Sequence, residues 1–224
     1  MTEPTYEDYL IFLTDPDPDV RRNAAWWLGR QRDFRAIEPL IDALGDPDGD
    51  VRLRVAESLG NLRDEQTVEP LVTALEDDSG LVRAKAALAL GNQGDGRAVP
   101  GLIGRLGDDE AAVRSAAAEA LGLLPDSRAI EPLVDVVVGD ANPDVRHYAS
   151  RSLDRIGGSR TVDALLAALE QRDPDASARM YIAEVLAGLY DKRAVDPLRT
   201  LAESDEDEGV RATAEWALKQ LGAG

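Results

Sequence analysis

A Val-Arg pair recurs along this chain at Val20-Arg21, Val51-Arg52, Val82-Arg83, Val113-Arg114, Val145-Arg146 and Val210-Arg211, with Ala178-Arg179 filling the gap. The successive spacings are 31, 31, 31, 32, 33 and 32 residues. Two more columns keep the same register. A leucine lies eight residues after each start, from Leu28 to Leu218, and an aspartate lies five before it, at Asp15, Asp46, Asp77, Asp108, Asp140, Asp173 and Asp205. A fixed period of this length is the mark of a chain made by stacking one supersecondary unit, and it constrains the fold more than any single motif.

Each unit reads as two helices. The second opens on a capping residue, at Asp17, Asp48, Ser79, Asn142, Asp175 and Asp207, with Glu110 as the poor exception. Pro18 and Pro143 follow directly, where a first-turn proline is tolerated. Apolar positions then recur at helical spacing, as in Val51, Val55, Ala56 and Leu59. Gly29, Gly60, Gly91 and Gly122 are expected to stop this helix. A short link carries Asp33, Asp64, Asp95, Asp126 or Asp191 as a cap for the next helix, which has proline in its first turn at Pro39, Pro70, Pro132 and Pro197. No strand pattern competes. Helices of roughly ten to thirteen residues are too marginal to stand alone, so each pair must bury its apolar face on a neighbouring pair.

Composition narrows the function classes. Of 224 residues, 43 are acidic and 25 basic, a net charge of -18. The absence of cysteine excludes thiolate zinc sites, disulfides and Cys nucleophiles. One histidine excludes a multi-histidine metal centre. The acidic balance opposes a role in gripping phosphate backbones. No apolar run approaches a membrane span, and Met1-Thr2-Glu3-Pro4 lacks the regions of a signal peptide, so a cytoplasmic location is expected. Only Lys85, Lys192 and Lys219 are lysines, and aspartate outnumbers glutamate. That is the composition expected of a halophilic protein, kept soluble in concentrated salt by a strongly hydrated acidic surface.

The run Val-Arg-x-x-Ala-Ala-x-x-Leu-Gly followed by Asp-x-Arg-Ala-Ile-Glu-Pro-Leu resembles the HEAT-repeat family, specifically the HEAT-like repeats named after phycobilisome lyases; residues 20–44 and 113–137 lie close to the pattern. The resemblance implies an all-α fold, a right-handed α-solenoid of about seven stacked two-helix repeats in a single domain over residues 1–224. The repeats fall approximately at 5–30, 34–61, 65–92, 96–123, 127–157, 160–188 and 192–221. It also implies that the second helix of each pair lines a concave face.

Recurring positions are read as structural. The arginine ladder from Arg21 to Arg211 is expected to pair with the loop aspartates of stacked repeats. Variable positions are where recognition can reside. In the second helices these supply the cations Arg22, Arg30, Arg54, Lys85, Arg151 and Arg155 against the acids Glu57, Glu119 and Glu184. They also supply Trp26, Tyr148, Tyr181 and Trp216, the lone His147, and Leu53, Leu88 and Met180, expected to be exposed. A basic, aromatic and apolar strip on an acidic protein has the composition of a recognition surface. Trp27 occupies a column elsewhere filled by small residues, and with Tyr6, Tyr9, Leu10 and Leu13 of an opening helix it is expected to cap the first repeat.

The expected function is a non-enzymatic scaffold or adaptor holding a protein or peptide with apolar anchors and acidic side chains. Catalytic residues, cofactors and metals are not expected. The resemblance supplies alternatives: a bilin-lyase-like subunit or chaperone, and, less well supported by a groove net charge of only +3, a nucleic-acid-binding solenoid. A family di-iron hydroxylase activity is excluded by the single His147, which Tyr148 follows. A monomer is favoured over an end-to-end dimer.

Overall fold

The computed structural model describes residues 4–171 and 174–223, so Asp173 of the aspartate column lies outside the described residues. Among these residues there are fourteen α-helices and no strand. The first member of each pair is α1 (Tyr6–Phe12), α3 (Ile37–Asp42), α5 (Val68–Ala74), α7 (Val99–Arg105), α9 (Ile130–Gly139), α11 (Gly158–Gln171) and α13 (Val195–Ser204). The second is α2 (Pro18–Gln31), α4 (Gly49–Leu62), α6 (Gly80–Gln93), α8 (Ala111–Leu121), α10 (Pro143–Ile156), α12 (Ala176–Gly188) and α14 (Glu208–Gln220). The chain forms two compact units, Met1–Ala120 and Leu121–Gly224. In the first, α2, α4 and α6 pack side by side; in the second, α10, α12 and α14 do so.

The first helices of the early pairs are shorter than their periodicity predicts. The linker aspartates cap one 3-10 turn rather than the helix itself: Asp33 accepts from Arg35 N at 2.9 Å, and the α-helix begins only at Ile37. Asp95, Asp126 and Asp191 repeat this geometry, and each also takes the guanidinium of the arginine two residues on, at 2.6–2.7 Å. The entry to α11 instead uses Gly157 and the helix's first residue, Gly158, at φ 60° and 82°. Second helices start as expected, with Asp48 and Asn142 each accepting from two backbone N–H groups, whereas Ser79 makes no capping bond.

The leucine column forms the core: Leu28, Leu59, Leu90, Leu121, Leu153 and Leu186 are fully buried. Each such side chain contributes about 1.5–3 kcal/mol relative to exposure. The glycine column has another role than the expected helix stop. Gly29, Gly60 and Gly91 lie inside helices that run on to Gln31, Leu62 and Gln93; only Gly122 follows a helix end. A methyl at Gly60 would sit 2.6 Å from the Ala89 Cβ, and one at Gly29 2.4 Å from the Ser58 Cβ. Close approach of neighbouring second helices therefore requires glycine on one face and a small residue on the other. Ser58 uses its hydroxyl in that seam, donating to the Ala25 carbonyl at 2.8 Å.

The arginine ladder bonds as its spacing predicts. Arg21 grips Asp46 through Nε and Nη2 at 2.6 and 2.8 Å, and its Nη1 donates to the Asp15 carbonyl at 2.8 Å. Arg52 does the same with Asp77, Arg83 with Asp108, and Arg179 with Asp205. Arg146 bonds Asp175, the cap of α12, at 2.7 and 2.8 Å. Each of Asp46, Asp77, Asp108 and Asp205 also accepts the backbone N–H two residues on, which fixes the loop that carries it. Burial would raise the Asp108 carboxyl, but the Arg83 guanidinium and the Glu110 N–H outweigh it and hold the group at about 2.

The first repeat is closed by aromatic rings. Tyr9 stacks on Trp27 with centroids 4.0 Å apart and planes 10° apart, and Tyr6 lies 6.1 Å from the same ring. Tyr6 is covered in turn by the Arg35 guanidinium, 4.3 Å from its centroid. Leu13 is buried behind them.

Candidate functional site

The residues named for their variability avoid the core: none of the seventeen is buried. Helix periodicity explains this, because positions two, three, six and ten after each start turn away from the leucine stripe. Leu53, Leu88 and Met180 are half-buried rather than exposed. The two units present these side chains differently.

In the first unit most of the cations are already neutralised. Arg22 pairs with Asp19 at 2.8 Å one turn earlier. Arg54 and Lys85 both converge on Glu57, Lys85 at 3.3 Å. Arg30 lies over the Trp26 ring, 4.9 Å from its centroid, leaving the indole 43% exposed. A strip of free positive charge is therefore not what α2, α4 and α6 offer.

Two cations that the variable columns did not include stand nearby. Arg32 and Arg63 follow the last residues of α2 and α4, and both hold left-handed backbone at φ 54°. They line a cavity of about 210 Å³ with Lys85, Leu88, Asn61 and Asn92. Neither makes an ion pair among the described residues. A left-handed backbone costs a residue with a Cβ about 1–2 kcal/mol. A cation beside a helix C-terminus recovers about 0.3–1 kcal/mol. Their spacing of 31 residues is the only sequence signal that marks them, and glycine takes the corresponding place at Gly94.

In the second unit the aromatic and charged groups come together. His147 and Arg151 of α10, Glu184 of α12 and Trp216 of α14 line a cavity of about 270 Å³. The His147 ring lies 6.0 Å from Tyr148 and 6.4 Å from Tyr181, whose hydroxyl donates to the Pro143 carbonyl at 3.5 Å. Trp216 is 47% exposed. Arg151 and Arg155 are exposed and make no ion pair among the described residues. Gly188 also lines it, and a Cβ there would lie 2.5 Å from an Asp154 carboxylate oxygen as now placed. The cavity thus offers a flat indole wall, an unpaired guanidinium and two carboxylates: groups that bind and orient a side chain. Among the described residues, no group of three or more His, Asp or Glu is placed to hold a metal ion. No helix there is long and apolar enough to cross a membrane.

Paired helices joined by a glycine seam and an arginine ladder, with the second helices presenting variable side chains, define an all-α solenoid. The chain belongs to the HEAT-repeat family, whose profile matches residues 7–90, 68–138 and 130–219. Solved structures agree in fold. YibA of Escherichia coli is similar with a TM-score of 0.66 and 23% identity, over 98% of this chain and 81% of that one. The complex of CpcE and CpcF of phycocyanin lyase from Nostoc gives 0.63 and 24%, over 97% and 88%. A designed armadillo repeat protein in complex with the peptide (KR)4 gives 0.57 and 19%, over 97% and 100%. A search of curated protein sequences finds no match.

Proposed function

We propose that this chain is a non-enzymatic scaffold that binds a protein or peptide partner along its second-helix face. The observation that carries this reading is the cavity in the second unit, where Trp216, His147 and the unpaired Arg151 meet. An exposed indole beside an unpaired guanidinium is the composition of an interaction hot spot, because both groups gain most when a partner excludes water from them. A complementary partner supplies an apolar or aromatic anchor for Trp216 and an acidic side chain for Arg151. A designed repeat protein of similar fold holds a peptide, which supports the reading by analogy of architecture. Fold does not choose between scaffold and lyase subunit; the reading rests on the recognition groups that the face offers.

We take the acidic surface as an adaptation to concentrated salt in a cytoplasmic setting, with the chain acting as a monomer. The test is capture of partners from lysate of the source cells in multimolar KCl, with wild type and a Trp26/Tyr148/Arg151/Tyr181→Ala variant. The variant is expected to lose most of what wild type retains. Equal recovery by both rejects this face as the binding surface. Melting of the free protein in low and multimolar KCl checks the salt reading, with a higher Tm expected in the latter.

A further inference from the structure

We propose that the pocket formed by Arg32, Arg63 and Lys85 is a carboxylate-binding site that takes a glutamate or aspartate side chain of the peptide partner. This rests on the partner-binding reading and adds a second anchor point, in the first unit.

The contrast with the other arginines is the starting observation. Arg21, Arg52, Arg83, Arg97 and Arg179 each have the guanidinium fork closed on an aspartate. In a chain with 43 acidic residues, Arg32 and Arg63 are nonetheless left without an ion pair among the described residues, and both face one cavity. Both line it from strained backbone at φ 54°, a state in which glycine would sit without penalty. Two arginines without an ion pair that line one cavity suit a carboxylate, which takes the planar guanidinium bidentately.

The remaining lining selects the ligand. Asn61 and Asn92 are exposed and carry amide N–H groups that can donate to a second oxygen. Leu88 and Ala89 give an apolar floor for side-chain methylenes. Glu57 occupies one wall and holds Lys85 at 3.3 Å. That fixed negative charge, within a protein of net charge -18, disfavours a dianion more than a monoanion. A carboxylate therefore fits better than a phosphate. Helices α2, α4 and α6 all end at this pocket, and their C-terminal carbonyls repel any anion. The cations and the Asn61 and Asn92 amides must therefore outweigh that repulsion.

The test uses the intact, isotopically labelled protein and the probe peptide acetyl-Leu-Glu-Glu-Leu-amide, read by the NMR signals of the arginine Nε–H groups. The expected result is that the Arg32 and Arg63 signals shift, and that the matched Leu-Gln-Gln-Leu peptide leaves them unmoved. An Arg32→Gly/Arg63→Gly variant removes both charges at positions where glycine relieves the backbone, so it keeps its fold. It is expected to bind the glutamate peptide about tenfold more weakly, followed through backbone amides around Leu88. Unmoved arginine signals overturn the proposal, as does an unchanged affinity in the variant. Inorganic phosphate displacing the peptide at lower concentration than acetate overturns the choice of carboxylate. None of these failures alters the lysate result with the Trp26/Tyr148/Arg151/Tyr181→Ala variant, so the two readings fall separately.

Discussion

Tyr190 holds its backbone at φ 54° just beyond α12, with 68% of its surface exposed. Its ring has no aromatic neighbour among the described residues to compensate. Replacing it with glycine is expected to stabilise the protein by about 0.5–1 kcal/mol, the steric relief exceeding the extra freedom glycine gains when unfolded. Urea unfolding checks this, and a destabilised Tyr190→Gly variant would show that the ring holds an interaction. Residues of this kind were illegible in the sequence. Arginine and tyrosine carry no signature of left-handed backbone, and Gly29 and Gly60, three residues before Arg32 and Arg63, drew the expected helix end to the wrong place. The ladder arginines were legible for the opposite reason. Their partner aspartates recur at an offset of 25 residues for Arg21, Arg52 and Arg83 and of 26 for Arg179, so one pairing points to the others.

At the scale of a helix, glycine has two opposite values in this chain. Gly60 faces Ala89 so closely that an added methyl would lie 2.6 Å from its Cβ. Gly104 in α7 has nothing within 4 Å of an added Cβ. Gly104→Ala is therefore expected to stabilise by about 0.5–1 kcal/mol through helix propensity. Gly60→Ala gains the same propensity but forces α4 and α6 apart, an overpacking cost of about 1–3 kcal/mol, so its net sign is destabilising. Thermal denaturation of the two variants separates them, and equal shifts would disprove the seam. The glycine column itself was plain in the sequence, but a glycine near a helix end suits both a stop and a close approach. Only the position of the next helix decides between them. The second-helix face shows the same limit: periodicity identified which residues avoid the core, yet the pairing of Arg54 and Lys85 with Glu57 depends on side-chain directions that spacing does not specify.

For the molecule as a whole, the carboxylates of the ladder and links set the response to acid. Asp108, Asp126 and Asp191 are held at about 2 against an ordinary value of 3.8. Burial favours a higher value at Asp108 and is overcome by Arg83; Arg128 and Arg193 lower the other two directly. Asp46, Asp77 and Asp205 are shifted in the same direction. A carboxyl that is more acidic in the folded state stabilises that state fully above its unfolded value and loses the contribution as pH falls to its folded one. The Tm is thus expected to be level near neutrality and to drop steeply between about pH 4 and pH 2. A melting series across that range tests it, and a Tm that holds to pH 2 would mean these pairs do not support the fold.

The ladder has a consequence for the length of the chain. Arg21 meets Asp46 and Arg52 meets Asp77, each through the same atoms and the same loop shape. Excising one whole 31-residue period between them would present Asp77 to Arg21 in the place that Asp46 now fills. Duplication or deletion of one whole 31-residue period in this stretch would therefore recreate the same bond between new neighbours.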